Sequence, residues 1–174
     1  FSEIMRARAF GELGDQRYVE YVEDIHHSGS LLISLINDLL DISKVEAGKV
    51  ELRLETFPLR PLIADVATTS QPLIAKNENT IQVNCPDDIG HMRADLTKVR
   101  QILINLLGNA VKFTKQGGVR VRARSCSQDG RLWLELTVKD SGPGIPPEDL
   151  HTIFDPFVQT GAKADVKGTG LGLT

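Results

Sequence analysis

Cysteine is scarce in this 174-residue chain, where Cys85 and Cys126 are the only two. Two thiols without histidine partners at metal-site spacing exclude a disulfide framework and a zinc module, and they suit a reducing cytosol. Excess positive charge is lacking as well. Twenty Lys and Arg stand against 23 Asp and Glu, a formal net charge of -3, so no global field exists to hold a nucleic-acid backbone or an anionic membrane. No apolar run approaches the roughly 20 residues that span a bilayer. Phe1 to Phe10 carry Glu3, Arg6 and Arg8 instead of a signal-peptide pattern. No internal repeat or low-complexity tract interrupts the chain. It opens without Met and stops at Thr174 directly behind a glycine-rich stretch, so it reads as a soluble piece of a longer protein whose own membrane anchoring stays open.

What is present can form a globular core. Hydrophobic residues make up 41%, the level of a soluble fold of one domain or two small ones. Residues 1 to about 47 read as helical, broken at Phe10-Gly11-Glu12-Leu13-Gly14 before Asp15, an N-cap candidate. Tyr18, Val22, Ile25, Leu32, Ile36 and Leu39 recur at spacings of three and four, with Gly29 in the same register, as in a coiled-coil seam. Leu31, Leu35 and Ile42 add a second apolar stripe, wider than one partner helix covers. A hairpin of two such helices pairs economically with a second copy of itself, giving a dimeric four-helix bundle. Packing onto the chain's own second domain is the alternative.

Ala47-Gly48 ends this helix, and Val50 to Glu55 alternates apolar and charged residues like a half-buried strand. The domains are therefore expected at 1–48 and 49–174. In the second, a helix through Ile63, Val66 and Ala67 precedes a short strand at Thr80 to Asn84. Asp95 then caps a strong helix to about Thr114, with Val99, Ile102, Leu103, Leu106 and Leu107 on its buried side. Val119, Val121 and Ala123 alternate with Arg120, Arg122 and Arg124. Across the turn Asp129-Gly130, Leu132, Leu134, Leu136 and Val138 alternate with Trp133, Glu135 and Thr137, which predicts a hairpin with one dry and one wet face. Arginines at period two opposite a valine row read as a solvated sheet face, not a nucleic-acid site. The fold class is α+β: a helical hairpin followed by a two-layer α/β sandwich, helices on one face of a mixed sheet.

Three elements could carry chemistry. Asn105 and Asn109 lie one helical turn apart, with Lys112 a further turn along. Two neutral oxygen donors and a cation suit a Mg²⁺-phosphate group, which keeps water and nucleotide oxygens in its octahedron, but ordinary surface amides fit the pattern equally. Asp140 ends a strand and is followed by Ser141-Gly142-Pro143-Gly144-Ile145. A carboxylate there can accept a hydrogen bond from an exocyclic amino group such as adenine's, with glycines leaving room for a flat ligand, though a plain turn also fits. Gly168-Thr169-Gly170-Leu171-Gly172 offers clustered backbone N–H groups for phosphate oxygens, yet it is neither a dinucleotide fingerprint nor a P-loop.

Together these segments resemble the sensor histidine kinases of two-component signalling, whose ATP-binding domain is shared with gyrase, mismatch-repair and heat-shock-chaperone ATPases. Asn105 to Thr114 is similar to the family's N box, Asp140 to Ile145 to its first glycine box, Ile153-Phe154-Asp155-Pro156-Phe157 to its F box, and Gly168 to Leu173 to its second glycine box. All four stand in the family's order. Leu35 to Gly48 resembles the second helix of the family's dimerisation and histidine-phosphotransfer hairpin, so the likeness covers nearly the whole chain.

The resemblance implies ATP and Mg²⁺ as cofactors. Asn109 would be the main metal ligand, with Asn105 assisting the metal and phosphates, and Lys112 would contact phosphate or ribose. Asn105 and Lys112 would be the catalytic pair. Phe113 would pack near the adenine, Asp140 would hold its amino group, and Gly142 and Gly144 would shape that pocket. Gly168, Thr169, Gly170, Leu171 and Gly172 would line the phosphates, and Gln159 to Lys167, with Lys163, would form a mobile lid. Chaperone and gyrase relatives carry a water-activating glutamate where this chain has Asn105. Asparagine cannot act as that base, which favours phosphoryl transfer over hydrolysis.

One departure stands out. The family's phosphoacceptor histidine, followed by an acidic residue and then a proline, does not occur in these residues. His26 and His27 precede Ser28-Gly29, and His91 and His151 lack the motif too. The implied function is thus a sensor histidine kinase core, homodimeric through its hairpin, that phosphorylates a histidine upstream of Phe1. It then passes the phosphoryl group to an aspartate of a response regulator, with no nucleic-acid partner and no membrane contact by this piece. A pseudokinase scaffold that binds nucleotide is the alternative, and a serine-directed kinase of the same superfamily is a third reading.

Overall fold

The computed structural model describes residues 1–156, 158, 170 and 173. They form two compact units, Phe1–Val50 and Glu51–Thr174. The first holds α1 (Ser2–Arg6) and α2 (Gln16–Glu46). The opening helix is far shorter than the sequence pattern implies, because Arg8 takes a left-handed conformation (φ 52°) and the glycine turn follows. Asp15 caps α2 as expected, its carboxylate accepting the Arg17 N–H at 2.9 Å. Val22 is the one buried residue of α2. Tyr18, Ile25, Leu32, Ile36 and Leu39 of the predicted seam are all about half exposed or more.

In the second unit β1 (Glu55–Pro58) pairs with β3 (His91–Ala94), while β2 (Thr80–Asn84), β4 (Gly118–Gln128) and β5 (Arg131–Asp140) make a mixed sheet in the order β2-β4-β5. β2 and β4 run parallel and β4 and β5 antiparallel. Helices α3 (Leu59–Lys76) and α4 (Leu96–Phe113) supply the second layer. Leu59, Ile63, Leu103, Leu107 and Val111 of the helices meet Val119, Val121 and Ala123 of β4 in one core. A void of about 10 Å³ among Ile63, Val66, Leu103, Leu107, Val121 and Val138 offers at most the space of one ordered water, and its lining is apolar. The hairpin turns at Asp129 (φ 53°) and Gly130 (φ 72°), the two left-handed residues of a type I′ turn.

Two details correct the sequence reading. The strand begins at Glu55, not Val50, because its partner runs out: Glu55 pairs with Ala94, and the next residue, Asp95, already caps α4. Asp95 Oδ2 instead accepts the Arg53 N–H at 3.0 Å, leaving Leu52 and Leu54 exposed. Ile102 is likewise 57% exposed. The buried stripe runs through Leu103, Leu107, Ala110 and Val111, and Ile102 lies one residue, or about 100° of helix rotation, to its side. The sequence reading also passed over β3, whose four residues are too few to establish an alternation.

Asp95 carries a testable consequence. Bonds from the Arg53 and Lys98 backbone N–H groups hold its carboxyl below the usual carboxylate range. A carboxylate lowered on folding stabilises above its unfolded pKa, and that contribution is lost as pH falls through its folded value. Asp95→Ala is therefore expected to lower the melting temperature at pH 7 while narrowing to no difference from wild type in strong acid, read by circular dichroism.

Candidate functional site

α4 places its chemistry by periodicity. With Leu103, Leu107, Ala110 and Val111 turned to the core, Asn105, Asn109 and Lys112 fall on a half-buried flank of the same helix. Neither asparagine amide has a hydrogen-bond partner among the described residues. Lys112 is partly desolvated, which lowers its pKa from the ordinary lysine value. Its Nζ lies 5.1 Å from the Phe113 ring centroid, and no carboxylate pairs with it among the described residues. Two free carboxamide oxygens beside an unpaired cation are the donor set that a hard metal ion carrying phosphate takes, so the residues fit Mg²⁺ with nucleotide. No cluster of three His, Cys, Asp or Glu offers a rival metal site among the described residues.

Asp140 closes β5, and its Oδ1 accepts the Gly142 N–H at 2.8 Å, which folds the chain sharply back. This turn meets the end of α4. A Cβ on Gly142 would stand 2.8 Å from Asp140 Oδ1, 2.9 Å from the Phe113 carbonyl oxygen and 3.2 Å from Thr114 Oγ1. Residues 113–114 and 140–142, distant in sequence, are thus packed together. Gly144 differs: its φ of 77° lies in the left-handed region that favours glycine, and the space around it is open.

The joint is held by a residue that the sequence reading missed. Asn79, 8% exposed, donates to the carbonyls of Val111 (3.1 Å) and Thr114 (2.7 Å), and its Oδ1 accepts the Gly117 N–H at 3.0 Å. It satisfies α4's terminal carbonyls and ties them to the start of β4. Asn79→Leu strands the Thr114 carbonyl and the Gly117 N–H, while Asn77 still donates to Val111 at 2.9 Å, and a stability loss of about 2 kcal/mol in denaturant titration is expected. The only sequence signal was an asparagine directly before a strand. Nearer its start, α4 is tied to α3 by the ion pair of Arg100 with Asp65.

Other predicted positions are less informative. Gly170 has a left-handed φ of 73°, whereas Gly168, Thr169, Leu171 and Gly172, the segment Gln159 to Lys167 and Phe157 lie outside the described residues. Phe154 is exposed at 63%. His26 accepts or donates a bond with Ser2 Oγ at 3.3 Å. The arginine face is solvated as expected, with Arg124 paired to Glu135 and Arg120 bonded to Gln82. An open cleft of about 310 Å³ adjoins it, lined by Thr80, Gln82, Arg120 and Lys139 with Asp140 and Ser141. Its lining includes no α4 residue, so it is not the space before Asn105 and Asn109. No helix among the described residues is long and apolar enough to cross a membrane.

Residues 94–174 match the family of histidine kinase-, DNA gyrase B-, and HSP90-like ATPases. The histidine protein kinase DivJ of Caulobacter vibrioides is 42% identical over 179 residues, spanning 100% of this chain and 29% of its own length. The full-length structure of ShkA with AMPPNP superposes with a TM-score of 0.77 at 33% identity, covering 99% of this chain and 35% of that one. The catalytic domain of the histidine kinase ThkA is 31% identical with a TM-score of 0.55, covering 70% of this chain and 76% of that domain. The chain spans less than a third of DivJ's length. An α4 with paired free amides, its end packed on the Asp140 turn, and relatives that agree along the chain lead to one assignment: the chain belongs to the histidine kinase family.

Proposed function

We propose that residues 49–174 bind Mg·ATP and transfer its γ-phosphoryl group to a histidine upstream of Phe1, and that residues 1–48 form the dimerising phosphotransfer hairpin. The observation that carries this reading is the junction of α4 with the Asp140–Gly142 turn. It sets Asn105, Asn109 and Lys112 on the helix whose last residues touch the turn carrying Asp140. Asp140, an acceptor, takes the adenine amino group, and Gly142 leaves the turn close to α4. Asn109 and Asn105 hold the metal through their amide oxygens. Bound Mg²⁺ would neutralise charge on the β- and γ-phosphates. Lys112 meets a phosphate oxygen, which restores the favourable setting that partial burial denies its charge. Gly168, Thr169, Gly170, Leu171 and Gly172 contribute backbone N–H groups to the phosphates.

No group in this set activates water. Asn105 positions without abstracting a proton, so catalysis rests on alignment and charge stabilisation, as suits transfer to a protein nucleophile. The exposed apolar seam of α2 is covered by a second copy of the hairpin, and the bundle so formed offers its surface to the receiver domain of a response regulator, whose aspartate takes the phosphoryl group next. We place the catalytic unit in the cytoplasm, where ATP is supplied.

Calorimetric titration tests the binding step and light scattering the assembly. ATP binding that requires Mg²⁺, by a particle of twice the chain mass, is expected. Binding indifferent to the metal, or a monomer at tens of micromolar protein, would contradict the proposal.

A further inference from the structure

Gln101 stands on the same flank of α4 as Asn105, Asn109 and Lys112, one turn before Asn105. An α-helix turns about 100° per residue, so with Gln101 at zero, Lys112 falls at about 20°, Asn105 at about 40° and Asn109 at about 80°. The four polar side chains share one arc, and Ala110 of the buried stripe stands about 180° from Gln101. Gln101 is nevertheless half-buried, while Ile102 beside it is 57% exposed. Its amide has no hydrogen-bond partner among the described residues, which leaves two N–H donors for a ligand.

The order along the helix sets what those donors can meet. Phe113, at the C-terminal end, packs on the Asp140–Gly142 turn, where the base is proposed to sit. By the roles proposed above, the phosphates then run back toward the start of α4, past Lys112 and Asn109 to Asn105. Gln101 lies four residues further, about 6 Å of rise in the same direction. Long helical side chains lean toward the N-terminus as well, so the amide stands past the terminal phosphate of ATP and far past the end of ADP. In an in-line displacement the acceptor approaches phosphorus from the side opposite the bridging oxygen, and the phosphoryl group moves outward along that line. That movement is toward Gln101.

We propose that Gln101 is a catalytic residue of the transfer step, its amide N–H groups donating to the oxygens of the γ-phosphoryl group as that group leaves ADP. The lone pair of a ring nitrogen on the acceptor histidine forms the N–P bond. The bond from phosphorus to the β,γ-bridging oxygen breaks, and its electron pair stays on ADP. The proton on the ring's other nitrogen passes to water afterwards. An uncharged donor met only near the transition state raises the rate without tightening the ground state. This role rests on the nucleotide reading above.

Two variants test it. Gln101→Glu keeps the shape of glutamine but sets a negative charge past the terminal phosphate. It is expected to weaken Mg·ATP binding about fivefold in titration calorimetry while Mg·ADP stays within roughly twofold, because repulsion falls with distance. Gln101→Ala is expected to keep both affinities within roughly threefold. In a protein that includes the residues upstream of Phe1, the alanine variant should take up label from γ-labelled Mg·ATP about tenfold more slowly. Glutamine, glutamate and alanine are all good helix formers, so both variants should melt close to wild type. The role is overturned if Gln101→Glu weakens ATP and ADP alike or weakens neither. It is also overturned if Gln101→Ala is labelled at the wild-type rate, loses affinity for both nucleotides, or melts well below wild type. A wild-type chain that binds no Mg·ATP overturns the nucleotide reading, and one that binds it without taking up label overturns the transfer; this role falls with either.

Discussion

Asn109→Ala is expected to weaken Mg·ATP binding more than about 100-fold while leaving the fold intact. Removing a mere outer-sphere partner of a metal already weakens its binding by roughly 10- to 100-fold, and Asn109 is assigned to the ion directly. The stability side has the opposite sign. Asn109 sits inside α4, its amide has no partner within the described residues, and alanine is the better helix former by a few tenths of a kcal/mol. Melting temperature should therefore hold or rise slightly as binding disappears. An equal loss of both would mean that Asn109 is part of the fold and not of the ligand site. Asn105→Ala is expected to follow the same pattern with a smaller loss, since its proposed role is only to assist the metal and phosphates.

Gly142→Val carries the second large effect. A Cβ at 142 meets the Asp140 carboxylate at 2.8 Å and the Phe113 carbonyl at 2.9 Å. The carboxylate can swing aside only by giving up the Gly142 N–H, and the carbonyl is backbone at the end of α4. Overpacking of this kind costs about 1–3 kcal/mol, and displacement of the carboxylate proposed to read the base adds to it, so nucleotide affinity is expected to fall about 100-fold in titration calorimetry. Gly144→Asn is the contrasting variant. Its site has open space and a left-handed φ of 77° that asparagine tolerates, so affinity should stay within roughly threefold. If both variants behave alike, the contact between Gly142 and α4 does not set the pocket.

Periodicity made much of this molecule legible before any coordinates. The Asp15 and Asp95 caps, β2 at Thr80–Asn84 and the Asp129-Gly130 turn all follow from local patterns, and each stands where the sequence places it. What escaped depends on contacts distant in sequence. The start of β1 is set by where Ala94 yields to the Asp95 cap, about 40 residues away. Asn79 became important only once the residues before β2 lay beside the end of α4. Spacing along one helix shows that Asn105, Asn109 and Lys112 share a flank. It could not show that one residue later, at Phe113, the same helix closes on Gly142.

The most direct test of the kinase reading is transfer of label from γ-labelled Mg·ATP to a protein that includes the residues upstream of Phe1. The product is then treated with acid and with alkali. Label that is lost in acid, kept in alkali and absent from Asn109→Ala is the expected result, because a phosphorylated histidine is acid-labile. Mg²⁺-dependent ATP binding without any incorporated label would contradict it and leave a nucleotide-gated scaffold, and acid-stable label would point to a hydroxyl acceptor.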